Sequence, residues 1–379
     1  MNSLKGVLSL KGVLVGSGQE GMRKEAVVQE VLRLAGKDGV AAKEGRPLEV
    51  VYLGTATYDA EGPRDAQTQP LRDAGASVRE LAVAGDVGGG QQLQRAEAAA
   101  MLGRADAIVV SGGNTLYAVD RWRLLGVDEM LAEAARRGAV IAGGSAGAIC
   151  WFDSGHSDSG DPASFKRAAS LEALDFGGSD DNTAAPPEAW EYCRVPGLGL
   201  LPGLLCPHHD RTQSNGLLRA EDFASMVANN PAFPAGGGGG DGDGDGGGGE
   251  RGIGLDHFTA LVLEGDGTYK ALAIGEGGSF SAADGADGRP TFVPDRAQGR
   301  PGLWIVEKAA RGGGGGGSGV VRTAAPPTGL LSDLLLLPSE EEEEEEEEGE
   351  RQKQKQQPQD DPRLASIRSR NPADASAAW

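Results

Sequence analysis

Among 379 residues the chain has only three cysteines and four histidines, and aromatic residues make up 5% of it. Cys150, Cys193 and Cys206 fit neither a zinc ribbon nor a disulfide framework, and their odd number suits a reducing compartment. With so few and so scattered His and Cys, no metal constellation is expected. No run of about 18 apolar residues occurs, so no segment reads as a membrane-spanning helix. The N-terminus also lacks an apolar stretch of signal-peptide length, and a cytoplasmic setting is the simplest expectation, with an organelle left open. A basic excess is missing too: 36 Lys plus Arg stand against 56 Asp plus Glu, a net charge of −20. Nucleic acid is therefore not expected as a partner, because its phosphates demand a basic face.

Part of that charge sits in low-complexity segments. A Gly/Asp-rich insert at 235–251 contains Asp241, Asp243, Asp245 and Glu250, and the stretch from Ser339 to Trp379 holds 13 acids against 6 bases, including the glutamates Glu340 to Glu348. What remains is moderately acidic. The 62 glycines cluster in runs such as Gly236 to Gly240 and Gly312 to Gly317, which bury no apolar surface and act as spacer. The reading is one α/β domain over 1–310 carrying the insert, followed by a mostly disordered tail at 311–379, apart from a helical piece at 330–337. The sequence SLKGVL occurs twice in tandem, at Ser3 to Leu8 and Ser9 to Leu14. One copy is expected to form the first strand, the other a dispensable extension.

Short apolar runs alternate with helical patterns, as in parallel strands joined by crossover helices. Strands are predicted at 12–15, 48–53, 78–83, 107–110, 139–142, 198–205, 259–264 and 303–307. Helices are predicted at 23–35, 91–102, 127–137 and 218–227, and one opens at Thr115. The polar stretch from Asp153 to Pro196 reads as surface loop.

Gly143-Gly144-Ser145-Ala146-Gly147 fits G-x-S-x-G between a strand and a helix-compatible stretch, where a tight turn lifts a serine hydroxyl into the open. The Ala146 amide would face a developing oxyanion. A plain strand-to-helix turn or an anion site explains the same string. A serine nucleophile needs a base, and His208 and His209 follow a strand end, where α/β sheets place their sites. His156 could instead cap the site, and His257 reads most easily as a surface or turn residue. Asp153, Asp158, Asp161 and Asp210 are open candidates for the acid. The glycines of Ser111 to Thr115 could supply a second oxyanion amide, or form a turn capped by Asn114 or Thr115.

The segments SGGNT (111–115), GGSAGAICWFDSGHSDS (143–159), GLGLLPGLLCPHHD (197–210) and GLDHFTALVLEGDG (254–267) resemble peptidase family S51, the dipeptidase E and cyanophycinase-like serine peptidases. The resemblance implies a class I glutamine amidotransferase-like fold, a doubly wound and mostly parallel α/β sheet, with no cofactor. It implies Ser145 as nucleophile, His208 as base and Asp158 as acid, with Asp161 next in line. Gly113 and Ala146 correspond to the oxyanion hole, and Asn114 and Arg219 fall at the substrate. The implied partner is a small peptide, in the dipeptidase E branch one with N-terminal Asp; a homodimer is compatible. A cyanophycinase-like hydrolase of Asp-Arg peptides and a non-catalytic binding protein on the same fold are the alternatives.

Overall fold

The computed structural model describes residues 4–36, 40–85, 95–161, 190–229, 251–275, 279–284, 290–295, 301–309 and 319–337. Residues 235–250 of the Gly/Asp-rich insert and the acidic tail lie outside them. Helices are α1 (Leu4–Leu8), α2 (Gln19–Met22), α3 (Glu25–Gly36), α4 (Val40–Glu44), α5 (Glu61–Asp73), α6 (Arg95–Arg104), α7 (Thr115–Leu125), α8 (Val127–Arg136), α9 (Ala146–Ile149), α10 (Arg219–Asn229) and α11 (Leu331–Leu335). Strands β1 to β5 are Lys11–Val15, Glu49–Leu53, Ser77–Glu80, Ala107–Val110 and Val140–Gly144. Strands β6 to β11 are Phe152–Ser157, Cys193–Pro196, Leu201–Cys206, Gly252–Leu255, Thr259–Glu264 and Thr268–Ala273. Strands β12 to β16 are Ser279–Asp284, Pro290–Asp295, Leu303–Lys308, Val320–Ala324 and Thr328–Leu330.

An eight-stranded sheet runs in the order β16-β11-β10-β1-β5-β4-β2-β3. Its β1, β5, β4, β2 and β3 are all parallel, and β10, β11 and β16 extend it antiparallel. Successive side chains on a strand face opposite ways, and the burial follows that period. Val13, Val15, Val50, Tyr52, Val109, Val140 and Ala142 pack with Val27, Val28, Val31 and Leu34 of α3 on one face. Leu14, Val51, Leu53, Ile108, Val110 and Ile141 pack on the other with Ala98, Leu102, Val119, Trp122 and Leu131 from α6 to α8. A strand buried on both faces reads as a continuous apolar run, which is why these strands stand out in the sequence.

A second, six-stranded sheet in the order β15-β14-β9-β8-β6-β7 mixes directions: β8 is parallel to β6 and β9, and the other pairs are antiparallel. Phe152, Leu201, Leu205, Ile253 and Leu303 turn one face of it toward the main core. Leu204, Cys206, Trp304 and Val306 bury the other against Phe223 and Val227 of α10. This sheet corrects the reading of Asp153 to Pro196 as loop, since β6 and β7 lie within that stretch; 162–189 is outside the described residues.

Two further expectations change. Residues 319–337 are not tail: β15 pairs with β14, β16 pairs with β11, and Leu331, Leu334 and Leu335 of α11 are buried in the main core. The two SLKGVL copies, identical in sequence, fold differently. The second runs into β1 between β5 and β10, where both edges of its backbone find ladder partners. The first forms α1, buries Leu4 and Val7 and lets the Leu8 carbonyl accept from the Gly267 amide at 2.9 Å, so it is no extension.

Candidate active site

The cavity that holds Ser145 is built mostly by segments leaving the carboxyl end of a strand in a parallel pair, 16–20 after β1, 55–58 after β2, 111–114 after β4, Ser145 after β5, Asp158 after β6, His208 after β8 and His257 after β9, with Pro63 and Gln67 of α5 added to them. Open α/β sheets place ligands there because crossing loops leave a crevice above the strand ends. The cavity has about 450 Å³ and is lined by Gly18, Glu20, Tyr58, Gly113, Ser145, Asp158, Asp161, His208, Gln213 and His257, among others.

Ser145 stands at φ 55° and ψ −118°, a left-handed backbone for a residue with a Cβ. Such strain persists only where surroundings enforce it. Here the Ser145 amide donates to the Val15 carbonyl at 3.0 Å. A Cβ on Gly144 would run into the Ser17 carbonyl, so only glycine lets the turn approach that closely. His208 is a second positive-φ residue, at 49°, and its amide donates to the Gly16 carbonyl at 3.0 Å. Adjacent carbonyls at the end of β1 therefore hold the serine and the histidine that share the cavity.

Among the described residues, the His208 ring meets no acid. Its Nδ1 lies 2.8 Å from Nδ1 of His257, and Nε2 of His257 lies 3.1 Å from the Glu20 Oε2. The His257 amide donates to Oδ1 of Asp210 at 2.7 Å, which fixes the backbone behind the ring. Burial pulls the His208 pKa well below the ordinary histidine value, and the neighbouring His257 adds to this. Burial also lowers His257, opposed by its bond to Glu20. Both rings are thus held neutral near pH 7.

Asp158, expected to orient His208, lines the cavity but accepts at Oδ2 from Gln213 Nε2 at 3.2 Å and from Arg219 Nη1 at 3.5 Å. Asp161 also lines the cavity. Arg219, expected at the substrate, is completely buried; it donates to the His156 carbonyl at 2.6 Å and lies 5.1 Å from the Tyr192 ring centroid. It supports Asp158 from behind and is not among the lining residues. Asn114 lines the cavity, yet its side chain caps α7, accepting from the Tyr117 amide at 3.0 Å and donating to the Ser159 carbonyl at 3.3 Å. Gly113 faces the cavity at φ 127°, and Ala146 starts α9 directly after Ser145.

Of the other histidines, His209 is buried against Asp256 at 3.1 Å and His156 against Asp222 at 2.7 Å. Neither lines the cavity. Sequence reasoning missed His257 and Glu20. The signal for His257 was its place just past the GIGL strand, and for Glu20 the Gly16-Ser17-Gly18 turn that ends the first strand.

A crevice at strand ends, with a strained serine and a neutral histidine sharing it, places the protein among α/β enzymes with a hydrolase-type site. A family model described as peptidase family S51 matches residues 13–238, and the chain belongs to that peptidase family. The chain is 30% identical over 294 residues, 73% of its length and 80% of the relative's, to a Trypanosoma brucei brucei protein named G2/mitotic-specific cyclin-1. It is 37% identical over 105 residues to the Bacillus subtilis (strain 168) uncharacterized peptidase YgaJ, covering 28% of this chain and 33% of that one. Among solved structures, a peptidase from an acI-B1 Actinobacterium aligns at TM-score 0.44 and 17% identity, covering 77% of this chain and 96% of that one. A putative peptidase E protein from Listeria monocytogenes EGD-e aligns at 0.41 and 15% identity, over 70% and 99%.

Proposed function

We propose that the chain is a serine-type exopeptidase that hydrolyses small peptides, with Ser145 as nucleophile and His208 as general base. The observation that carries this reading is the strained Ser145 backbone in a cavity it shares with a neutral His208. Ser145 Oγ attacks the scissile carbonyl and passes its proton to His208 Nε2, which returns it to the leaving amine; water then repeats the sequence on the acyl-enzyme. The Gly113 and Ala146 amides are assigned to the oxyanion, where fixed donors contribute most.

The lining supports a free amino terminus as the recognised group. Asp158 and Asp161 line the cavity, Glu20 is engaged by His257, and among its described lining residues there is no Lys or Arg. An N-terminal Asp side chain would meet carboxylates there, and Arg219 is buried out of its reach. The same acidity suits the arginine of an Asp-Arg polymer, the second substrate reading. The relative with a cyclin's name raises a non-catalytic role, against which stands the cavity that Ser145 and His208 share, which such a role does not need.

Hydrolysis of Ala-Leu, Asp-Leu, Leu-Asp and cyanophycin by wild type and Ser145→Ala tests the proposal, with folding checked by circular dichroism. The expected result is cleavage of Ala-Leu at least as fast as Asp-Leu, falling about 10⁴-fold or more in the variant. Equal turnover by a folded Ser145→Ala would sink it. Labelling of Ser145 by a fluorophosphonate probe separates an unidentified peptide preference from a non-catalytic protein.

A further inference from the structure

We infer that His208 is oriented by a second imidazole, His257, anchored in turn on Glu20, so that a Glu20–His257–His208 relay stands where a serine peptidase ordinarily has one carboxylate. The inference rests on the serine-peptidase reading for its catalytic meaning and on two contacts for its geometry. His208 Nδ1 and His257 Nδ1 are 2.8 Å apart with ring centroids at 4.9 Å, and His257 Nε2 is 3.1 Å from Glu20 Oε2. Two ring nitrogens at that separation share one proton, so one donates and the other accepts.

The carboxylate end decides which. Glu20 only accepts when ionised, so His257 carries its proton on Nε2 and presents a bare Nδ1. His208 must then donate from Nδ1, which leaves its Nε2 lone pair for the Ser145 hydroxyl. Reversing the chain would place a proton on His208 Nε2 and remove the base. Glu20 thus sets the tautomer of a ring it does not touch. When Ser145 Oγ bonds to the carbonyl carbon, its proton goes to His208 Nε2 and the carbonyl electron pair to oxygen. The resulting imidazolium is held through His257 by the Glu20 charge. When the C–N bond breaks, the Nε2 proton leaves with the amine, and the relay returns to its starting state.

The frame around His257 is built for this role. The Asp210 carboxylate takes its backbone amide, and the Phe258 ring meets its own ring at 89° with centroids 4.5 Å apart. Asp158 is occupied by Gln213 and Arg219. His257 and Glu20 are positioning residues, reaching the chemistry only through His208.

The test uses the full chain in four forms: wild type, Glu20→Gln, His257→Gln, and a double variant with His257→Glu and Glu20→Gln. Both single variants are expected to lose about 10²–10³-fold in kcat with KM within about twofold, because orientation and charge are needed in the transition state and not for binding. The double variant places a carboxylate directly beside His208 and is expected to recover to within about tenfold of wild type. Independently of turnover, ¹⁵N NMR of the four imidazoles reads the tautomers: His208 as Nδ1–H and His257 as Nε2–H in wild type, with His257 reversed in Glu20→Gln. Unchanged kcat in both single variants, or His257 found as Nδ1–H in wild type, overturns the relay. If the fluorophosphonate still labels Ser145 in that case, the serine-peptidase reading survives. If wild type neither labels nor hydrolyses, that reading fails, and the imidazole spectrum still decides the geometry of the relay.

Discussion

His208 shows what burial does to a single titratable group. A base must be neutral to accept a proton, and its pKa is pulled well below the ordinary histidine value of about 6.5. As pH falls through 6.5 an ordinary histidine would charge and activity would drop, whereas a group with a lowered pKa stays neutral further into acid. The acid limb of kcat/KM is therefore expected below pH 6.5, as measured by a pH-rate profile on a dipeptide. A limb at or above that value would show that His208 is solvated in solution. Arg219 shows the converse, a buried cation held by neighbours. Removing one partner of a buried pair typically costs about 3–5 kcal/mol, and Asp158, with 28% of its side chain exposed, recovers some hydration. Arg219→Met is expected to cost about 3 kcal/mol, read as a lower urea midpoint at unchanged m. A substrate contact would instead raise KM and leave the midpoint alone.

At the scale of elements, legibility followed burial on two faces. β1, β2, β4 and β5 are apolar runs bounded by glycine or polar turns, and the chain announces them. β6 was hidden, since FDSGHS carries Ser154, His156 and Ser157 into a buried environment through specific partners: His156 Nε2 meets Asp222 at 2.7 Å, and Ser157 meets Ser159 at 2.8 Å. No periodicity reports a pairing of that kind. The serine turn was legible because steric demand writes itself into sequence as clustered glycines. The cavity position of His208 was legible through its place after β8. Its ring partner was not, because a histidine that meets another histidine 49 residues away has no local signature, and the acid candidates Asp153, Asp158, Asp161 and Asp210 are all aspartates. His208 and His209, adjacent in sequence, point to different neighbours, one in the cavity and one against Asp256.

For the whole molecule, the boundary of the folded part is the main revision. A chain ended after 310 would lose β15, β16 and α11, including the buried Leu331, Leu334 and Leu335. At about 1.5–3 kcal/mol for each buried leucine, that is roughly 5–9 kcal/mol, comparable to the whole stability of a typical domain, about 5–15 kcal/mol. The 1–310 chain is expected to unfold well below the parent or not to fold, and the 1–337 chain to keep its melting temperature within a few degrees. Scanning calorimetry of the two truncations checks this. Equal melting of both would show that the added strands are ornament.

The paired hexapeptides carry a consequence beyond this protein's chemistry. Since SLKGVL is helix in one copy and strand in the next, no scale that assigns each residue a preference can be right about both. The two copies hold composition and order constant while the outcome flips, so the conformational decision belongs to the context each copy meets. One chain thereby contains both an experiment on context and its own control.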